Sequence, residues 1–238
     1  MHASLGIKPV HDCRNCTLKQ QAFFCSLTPP AAQDLEAIKS YSTYPSGTVL
    51  FMEKDPFRGV YLLCTGKIKL TISSSAGKSL ILRLARPGEV LGLMAAISGT
   101  SYEATAETME PCQLAFIRCD DFSRFIHKYP EVYGAMLRQM SAQYFGTCQQ
   151  IRNIALSATS RQKLAHLLLD WAADGKETSE GIRISVPLTH EQIAECVGST
   201  RETITRILSE FKNRHLVSHR GATMVIPNLS ALEAVGGD

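Results

Sequence analysis

The stretch Leu188-Thr-His-Glu-Gln-Ile-Ala-Glu-Cys-Val-Gly-Ser-Thr-Arg-Glu-Thr-Ile-Thr-Arg-Ile-Leu208 leaves the chain few choices of local fold. Thr189 followed by Gln192, and Ser199 followed by Glu202, both have capping-box spacing, in which a hydroxyl and a longer polar side chain satisfy orphan amides reciprocally. Each pair marks a helix start. Gly198 stands where the first helix must stop, and glycine takes the left-handed conformation at little steric cost. Ile193, Val197, Ile204, Ile207, Leu208 and Phe211 recur at helical spacing and pack the two helices together. The pattern predicts two short helices around a tight turn, with Arg201, Glu202, Thr205 and Arg206 on the outer side.

That outer face has the chemistry of a base reader. Arginine donates two hydrogen bonds to guanine O6 and N7, glutamate accepts from the cytosine amino group, and the short hydroxyls of Ser199, Thr200 and Thr203 suit phosphates. A plainer reading stands beside it. Glu202 is then only a capping carboxylate, and Arg206 pairs with Glu202 or Glu210 on a solvated surface. Charge does not decide between them: between Arg183 and Arg220 six basic side chains face four acidic ones, and the whole chain carries a net +3.

Upstream, short apolar and β-branched runs (49–52, 60–64, 68–72, 80–84 and 113–117) alternate with Gly at 47, 59, 66, 77, 88 and 99. This spacing predicts an antiparallel barrel or jelly roll. From about Pro130 a helical pattern follows, in which Tyr133, Leu137, Met140, Tyr144, Thr147, Ile151 and Ile154 recur at spacings of three and four. That is a coiled-coil seam or, equally, an ordinary core-facing helix. The helix is expected to end near Leu156. Thr159 and Gln162 form a further capping box, Leu164, Leu167, Leu168 and Trp171 give the next helix an apolar face, and a hinge is expected at 157–160. Leu216 to Val225, with Gly221 at its centre, reads as a small hairpin or wing. At 238 residues the chain can hold two cores. Met1 to Val10 lacks an apolar core of signal-peptide length, and the longest apolar stretches are too short to span a bilayer, so the expectation is a cytoplasmic protein without membrane attachment.

Residues 198–208 resemble the recognition-helix signature of the CRP/FNR bacterial transcription regulators. Pro45-Ser-Gly-Thr-Val-Leu-Phe51, Tyr61-Leu-Leu-Cys-Thr-Gly-Lys-Ile-Lys-Leu70 and Arg86-Pro-Gly-Glu-Val-Leu-Gly92 are similar to the family's effector domain. The resemblance implies an α+β chain with a cysteine-rich arm (1–28), an N-terminal antiparallel β-roll of the cyclic-nucleotide-binding-like jelly-roll type (29–128), a long dimerisation helix (129–157) and a C-terminal winged helix-turn-helix (158–238). It also implies a homodimer on double-stranded DNA, a contact with RNA polymerase, and no enzymatic activity. Arg201-Glu202 followed by Arg206 resembles the CRP type of recognition helix. The expected operator is an inverted repeat of GTGA half-sites, read by two helices about 34 Å apart.

The effector is less plainly written. The family's cyclic AMP binders carry a glutamate for the ribose just after the position of Gly92 and an Arg-Ser pair for the phosphate near 102–104. This chain has Leu93 and Tyr102-Glu103-Ala104 there, and from Pro87 to Ile117 it has no Lys or Arg at all. A cyclic phosphate needs such a cation. Three of the eight cysteines instead form Cys13-x2-Cys16-x8-Cys25, a candidate thiolate arm for an iron–sulfur cluster or zinc. The FNR branch adds a fourth cysteine from a late β-roll strand, and Cys112 fits that resemblance, implying a four-iron four-sulfur cluster that senses oxygen, redox state or nitric oxide. The spacing after Cys16 is longer than in that branch. Cys64, Cys148 and Cys196 read as small core hydrophobes, and Cys119 has no assigned role. A cluster-free regulator responding to haem or a small uncharged effector remains open. A thiol-redox enzyme or electron carrier would leave the recognition helix unexplained.

Overall fold

The expected apolar runs do become strands, each bounded by the turn residues that flank it. A computed structural model of the chain describes residues 27–173, 175–186, 188–220 and 223–237. In chain order the first part comprises α1 (Pro29–Ala37), β1 (Ser40–Tyr44), β2 (Val49–Phe51), β3 (Gly59–Thr65), β4 (Ile68–Ser73), β5 (Ser79–Ala85), β6 (Val90–Leu91), α2 (Leu93–Ser98), β7 (Thr105–Thr108), β8 (Cys112–Arg118) and α3 (Cys119–Lys128). A long helix, α4 (Val132–Leu156), follows. The second part holds α5 (Ser160–Ala172), β9 (Lys176–Thr178), β10 (Gly181–Ser185), α6 (His190–Val197), α7 (Arg201–Asn213), β11 (Ser218–Arg220), β12 (Thr223–Ile226) and α8 (Leu229–Gly236). The chain divides into two compact units. One takes the described residues to Ser74 with Leu82–Gly146, the other Ser75–Ile81 with the described residues from Thr147 onward.

The first unit is built on two four-stranded sheets, β1-β8-β3-β6 and β2-β7-β4-β5, of whose last strand it takes the residues from Leu82, with antiparallel pairing of β3 to β8 and of β4 to β7. β3 explains its own sequence. Its run Val60-Tyr-Leu-Leu-Cys64 is buried on both faces, so it reads as continuous rather than alternating. Leu63 and Leu114 face the core between the sheets with Ile68, Leu70 and Ala106, while Val60, Leu62, Ala115 and Ile117 pack with Phe122, Phe125, Val132 and Met136 of α3 and α4. At Gly59 a Cβ would overlap the Ile117 carbonyl, so the close approach of β3 to β8 depends on glycine. Edge strand β6 has an unusual neighbour. Gln139 of α4 accepts from the Val90 amide (3.0 Å) and donates to the Val90 carbonyl (2.7 Å), filling both positions that another strand would take.

The second unit packs α5 to α8 around a small antiparallel sheet of order β11-β12-β10-β9. Leu164, Leu168, Ile193, Val197, Ile204, Leu208, Phe211 and Leu232 are buried there. The expected wing is present as β11 and β12, paired Ser218 to Val225; its tip lies outside the described residues. Among the described residues no helix is long and apolar enough to cross a membrane. The α+β architecture thus matches the expectation, while β1, β6, β7, β9, β10, α1 to α3 and α8 were not foreseen. β1 is the polar segment Ser-Tyr-Ser-Thr-Tyr at a sheet edge and β6 is two residues long, so neither carries an alternating apolar signal.

Candidate DNA interface and effector domain

Each helix of the helix-turn-helix is fixed at both ends by its own sequence. Thr189 caps α6: its hydroxyl accepts from the Gln192 amide, and Gln192 reaches back to the Thr189 amide (3.0 Å). At the other end Gly198 is left-handed (φ 62°), and the Ser199 amide returns to the Ala194 carbonyl at 2.9 Å. This is the six-to-one bond of a glycine-terminated helix. The next cap differs from the expectation by one residue. Thr200, not Ser199, caps α7 and accepts from the Thr203 amide; Ser199 turns inward and donates to the Ser160 hydroxyl at 3.1 Å. The extended backbone of Thr200 makes it the better cap, and Glu202, one position too early, is left on the surface.

α7 buries Ile204, Ile207, Leu208 and Phe211, so its opposite face is committed to solvent. Arg201, Glu202, Thr205 and Arg206 are exposed on it, and Thr203 is half-buried. Of the plainer pairings, Arg206 takes neither Glu202 nor Glu210. Glu210 is held instead by Arg161 of α5 (2.8 Å) and Arg214 (3.5 Å). The hydrogen bond from Arg161 holds the Glu210 carboxyl below the usual carboxylate range. Arg206 lines an open cleft of about 390 Å³ with Thr159, Ser160, Arg161, Thr203, Ile207 and Glu210, between the start of α5 and α7. The wing side chains His219 and Arg220 lie outside the described side chains.

The exposed stripe of α4 is displaced by about one position from the predicted seam. Tyr133, Leu137, Tyr144 and Ile151 are exposed as expected, with Tyr144 at 68% and Leu137 at 64%. Met140 instead packs against the core of the first unit, and Thr147 and Ile154 are half-buried. The exposed run is Tyr133, Leu137, Ser141, Tyr144, Cys148, Ile151 and Ala155, still at spacings of three and four and without a charged side chain. Cys148, expected in a core, is exposed on this run.

In the effector domain an aromatic cluster occupies the centre of the roll. Tyr102 is buried, stacks on Phe51 (ring centroids 3.9 Å), and meets Phe57 edge-on (5.7 Å). Its hydroxyl donates to the Gly59 carbonyl (2.7 Å) and accepts from the Arg58 amide (3.3 Å). Gly92 is left-handed and gives the ring room, since a Cβ there would lie 2.8 Å from Tyr102 Cε1. Burial pushes the Tyr102 phenol up, and the Tyr61 phenol up to about 12. Both remain neutral hydrogen-bonding groups.

Of the four proposed metal ligands, Cys13, Cys16 and Cys25 lie outside the described residues. Cys112 opens β8 as a buried thiol within reach of the carbonyls of Lys67 (3.3 Å) and Glu110 (3.2 Å), in space left by Gly66. Burial pushes its pKa up, whereas a metal ligand must be a thiolate. Among the described residues no group of three or more His, Cys, Asp or Glu side chains is placed to hold a metal. Cys64 and Cys196 are buried as expected, and burial pushes the Cys196 thiol up to about 12.

Comparison with known proteins agrees with both halves of this geometry. Residues 41–129 match a family model described as a cyclic nucleotide-binding domain, and residues 162–235 match one described as a Crp-like helix-turn-helix domain. The chain is 28% identical over 194 residues to the global nitrogen regulator of Synechocystis sp., covering 80% of this chain and 85% of that protein. It is 27% identical over 185 residues to the cAMP-activated global transcriptional regulator CRP of Pasteurella multocida, covering 77% and 88%. In fold it resembles the structure of FixK2 from Bradyrhizobium japonicum, with a TM-score of 0.72 at 19% identity over 83% of this chain and 97% of that one.

Proposed function

We propose that this chain, which belongs to the CRP/FNR family of DNA-binding transcriptional regulators, binds inverted-repeat operators with GTGA half-sites as a homodimer in the bacterial cytoplasm. The observation that carries the reading is the exposed face of α7, where Arg201, Glu202 and Arg206 are displayed while the opposite face is locked in the core. Arginine and glutamate at these places suit guanine and cytosine edges. The exposed stripe of α4 supports the dimer, because a run of Tyr, Leu and Ile facing water at coiled-coil spacing is stabilised by a second copy. RNA polymerase is the expected partner once the dimer is on DNA. Selecting binding sites from random duplexes tests the reading: recovery of a palindrome with GTGA arms supports it, and recovery of an unrelated or asymmetric site overturns it.

For the effector, Tyr102 and its neighbours favour an input other than a cyclic nucleotide held through its phosphate. We assign that input to the N-terminal arm, with Cys13, Cys16 and Cys25 as thiolates of an iron–sulfur cluster and zinc as the other metal of matching chemistry. Such a cluster would supply sensitivity to oxygen, redox state or nitric oxide. Cys112 could join the set only by giving up its proton and both carbonyl contacts. Iron and acid-labile sulfide measured on protein purified without oxygen check the assignment. Protein free of both that still binds its operator returns the role to haem or a small uncharged ligand.

A further inference from the structure

We infer that the last turn of α4 sets the half-site spacing that the dimer accepts, with Asn153 and Ile154 as positioning residues; this rests on α7 reading the operator and on α4 pairing with a second copy. The end of α4 and the elements from α5 to α8 belong to one compact unit, so Cys148, Ile151 and Ala155 of the exposed run are carried by the same body as the recognition helix. The connector that joins α4 to α5, residues 157–159, holds no helix or strand. A free elbow there would leave the angle between α4 and α7 open.

Two neighbouring residues close it. Asn153 donates to the Asp170 carboxylate of α5 at 3.0 Å. Ile154, half-buried, brings its Cγ2 to the turn of the helix-turn-helix, 3.8 Å from the place a Cβ would take on Gly198. Asp170 stands near the far end of α5, about 15 Å along the helix axis from Ser160. A tie that far from the connector has a long lever arm, so about 1 Å of slack allows only about 4° of swing. α5 is held on its other side as well: Ser199 donates to Ser160 (3.1 Å), and Arg161 donates to Glu210 of α7 (2.8 Å). It is therefore a spar, tied near its end to the dimer helix and near its start to the recognition helix. Each base pair added between half-sites moves the second by about 3.4 Å and turns it by roughly a tenth of a helical turn. A clasped elbow cannot follow that change, and a loosened one can.

The test is binding by fluorescence anisotropy to a palindromic duplex selected from random DNA, to the same duplex with a base pair inserted or removed at its centre, and to a duplex carrying a single half-site. Wild type is expected to prefer the selected spacing. Asn153→Asp sets two carboxylates against each other and should narrow that preference by about fivefold to tenfold, the worth of one such hydrogen bond. Ile154→Ala, which thins the contact at Gly198, should act in the same direction. Affinity for the single half-site should stay at the wild-type value in both, because neither residue is asked to touch DNA. Combining Asn153→Asp with Asp170→Asn rebuilds the hydrogen bond with donor and acceptor exchanged and should restore the preference. An Asn153→Asp protein with the wild-type spacing preference overturns the proposal, as does an exchange that leaves the preference relaxed or a single half-site affinity that falls as far as that for the full operator. Wild-type protein indifferent to spacing would instead remove the pairing through α4, and wild-type protein without affinity for any duplex would remove the recognition-helix reading.

Discussion

Arg206 carries the sharpest consequence of the DNA reading. It is exposed, takes neither of the carboxylates at helical spacing, and lines the cleft between α5 and α7. Arg206→Ala should cost about 1–3 kcal/mol on the selected operator and relax the choice at one guanine; equal affinity of both proteins would remove it from the reading face. Tyr102 makes a second claim. It stands at the sequence position where the family resemblance implies a phosphate-binding cation, and it is held there by Phe51 and the Gly59 carbonyl, so adding cyclic AMP should leave operator affinity unchanged in the same assay, and a marked gain would overturn that expectation. The sequence already disclosed the missing cation. The ring's position was not legible, because the stack on Phe51 joins residues about fifty positions apart and no local period encodes it.

Caps and periodicity made the helix-turn-helix readable almost to the residue. The exception, Thr200 in place of Ser199, arose because two adjacent hydroxyls both satisfy a capping pattern and only tertiary contact with Ser160 separates them. The seam on α4 slipped for a related reason. Met140 is apolar in either setting, and periodicity cannot say whether such a residue faces its own core or a partner. The pairing of α5 with α7 through Arg161 and Glu210 was hidden altogether, since the two residues are far apart in sequence. Its behaviour in acid follows from its chemistry. The folded-state pKa of Glu210 is lowered, so the stabilisation is present above the ordinary carboxylate range and is lost as pH falls through the folded value. Glu210→Gln should therefore flatten part of the acid limb of a melting-temperature profile between about pH 5 and 3, and an unchanged limb would mean the pair contributes nothing to folding.

The exposed run on α4 has a consequence for assembly that can be measured through one atom. Cys148 stands between Tyr144 and Ile151 on that run, so its alkylation should be fast in dilute protein and slow when dimers form. Leu137→Asp should hold the thiol reactive at all concentrations and weaken operator binding steeply, because a single half-site then lacks its partner. Protection of Cys148 in the Leu137→Asp protein would place the dimer contact elsewhere. Gln139, on the other side of the same helix, bears on a different hazard. By occupying both backbone groups of Val90 with a side-chain amide, it covers the β6 border of the β1-β8-β3-β6 sheet. A border covered in this way offers no template there for a strand from another molecule, so the helix whose exposed run is assigned to the dimer also closes one of the two edges along which that sheet could add a foreign strand.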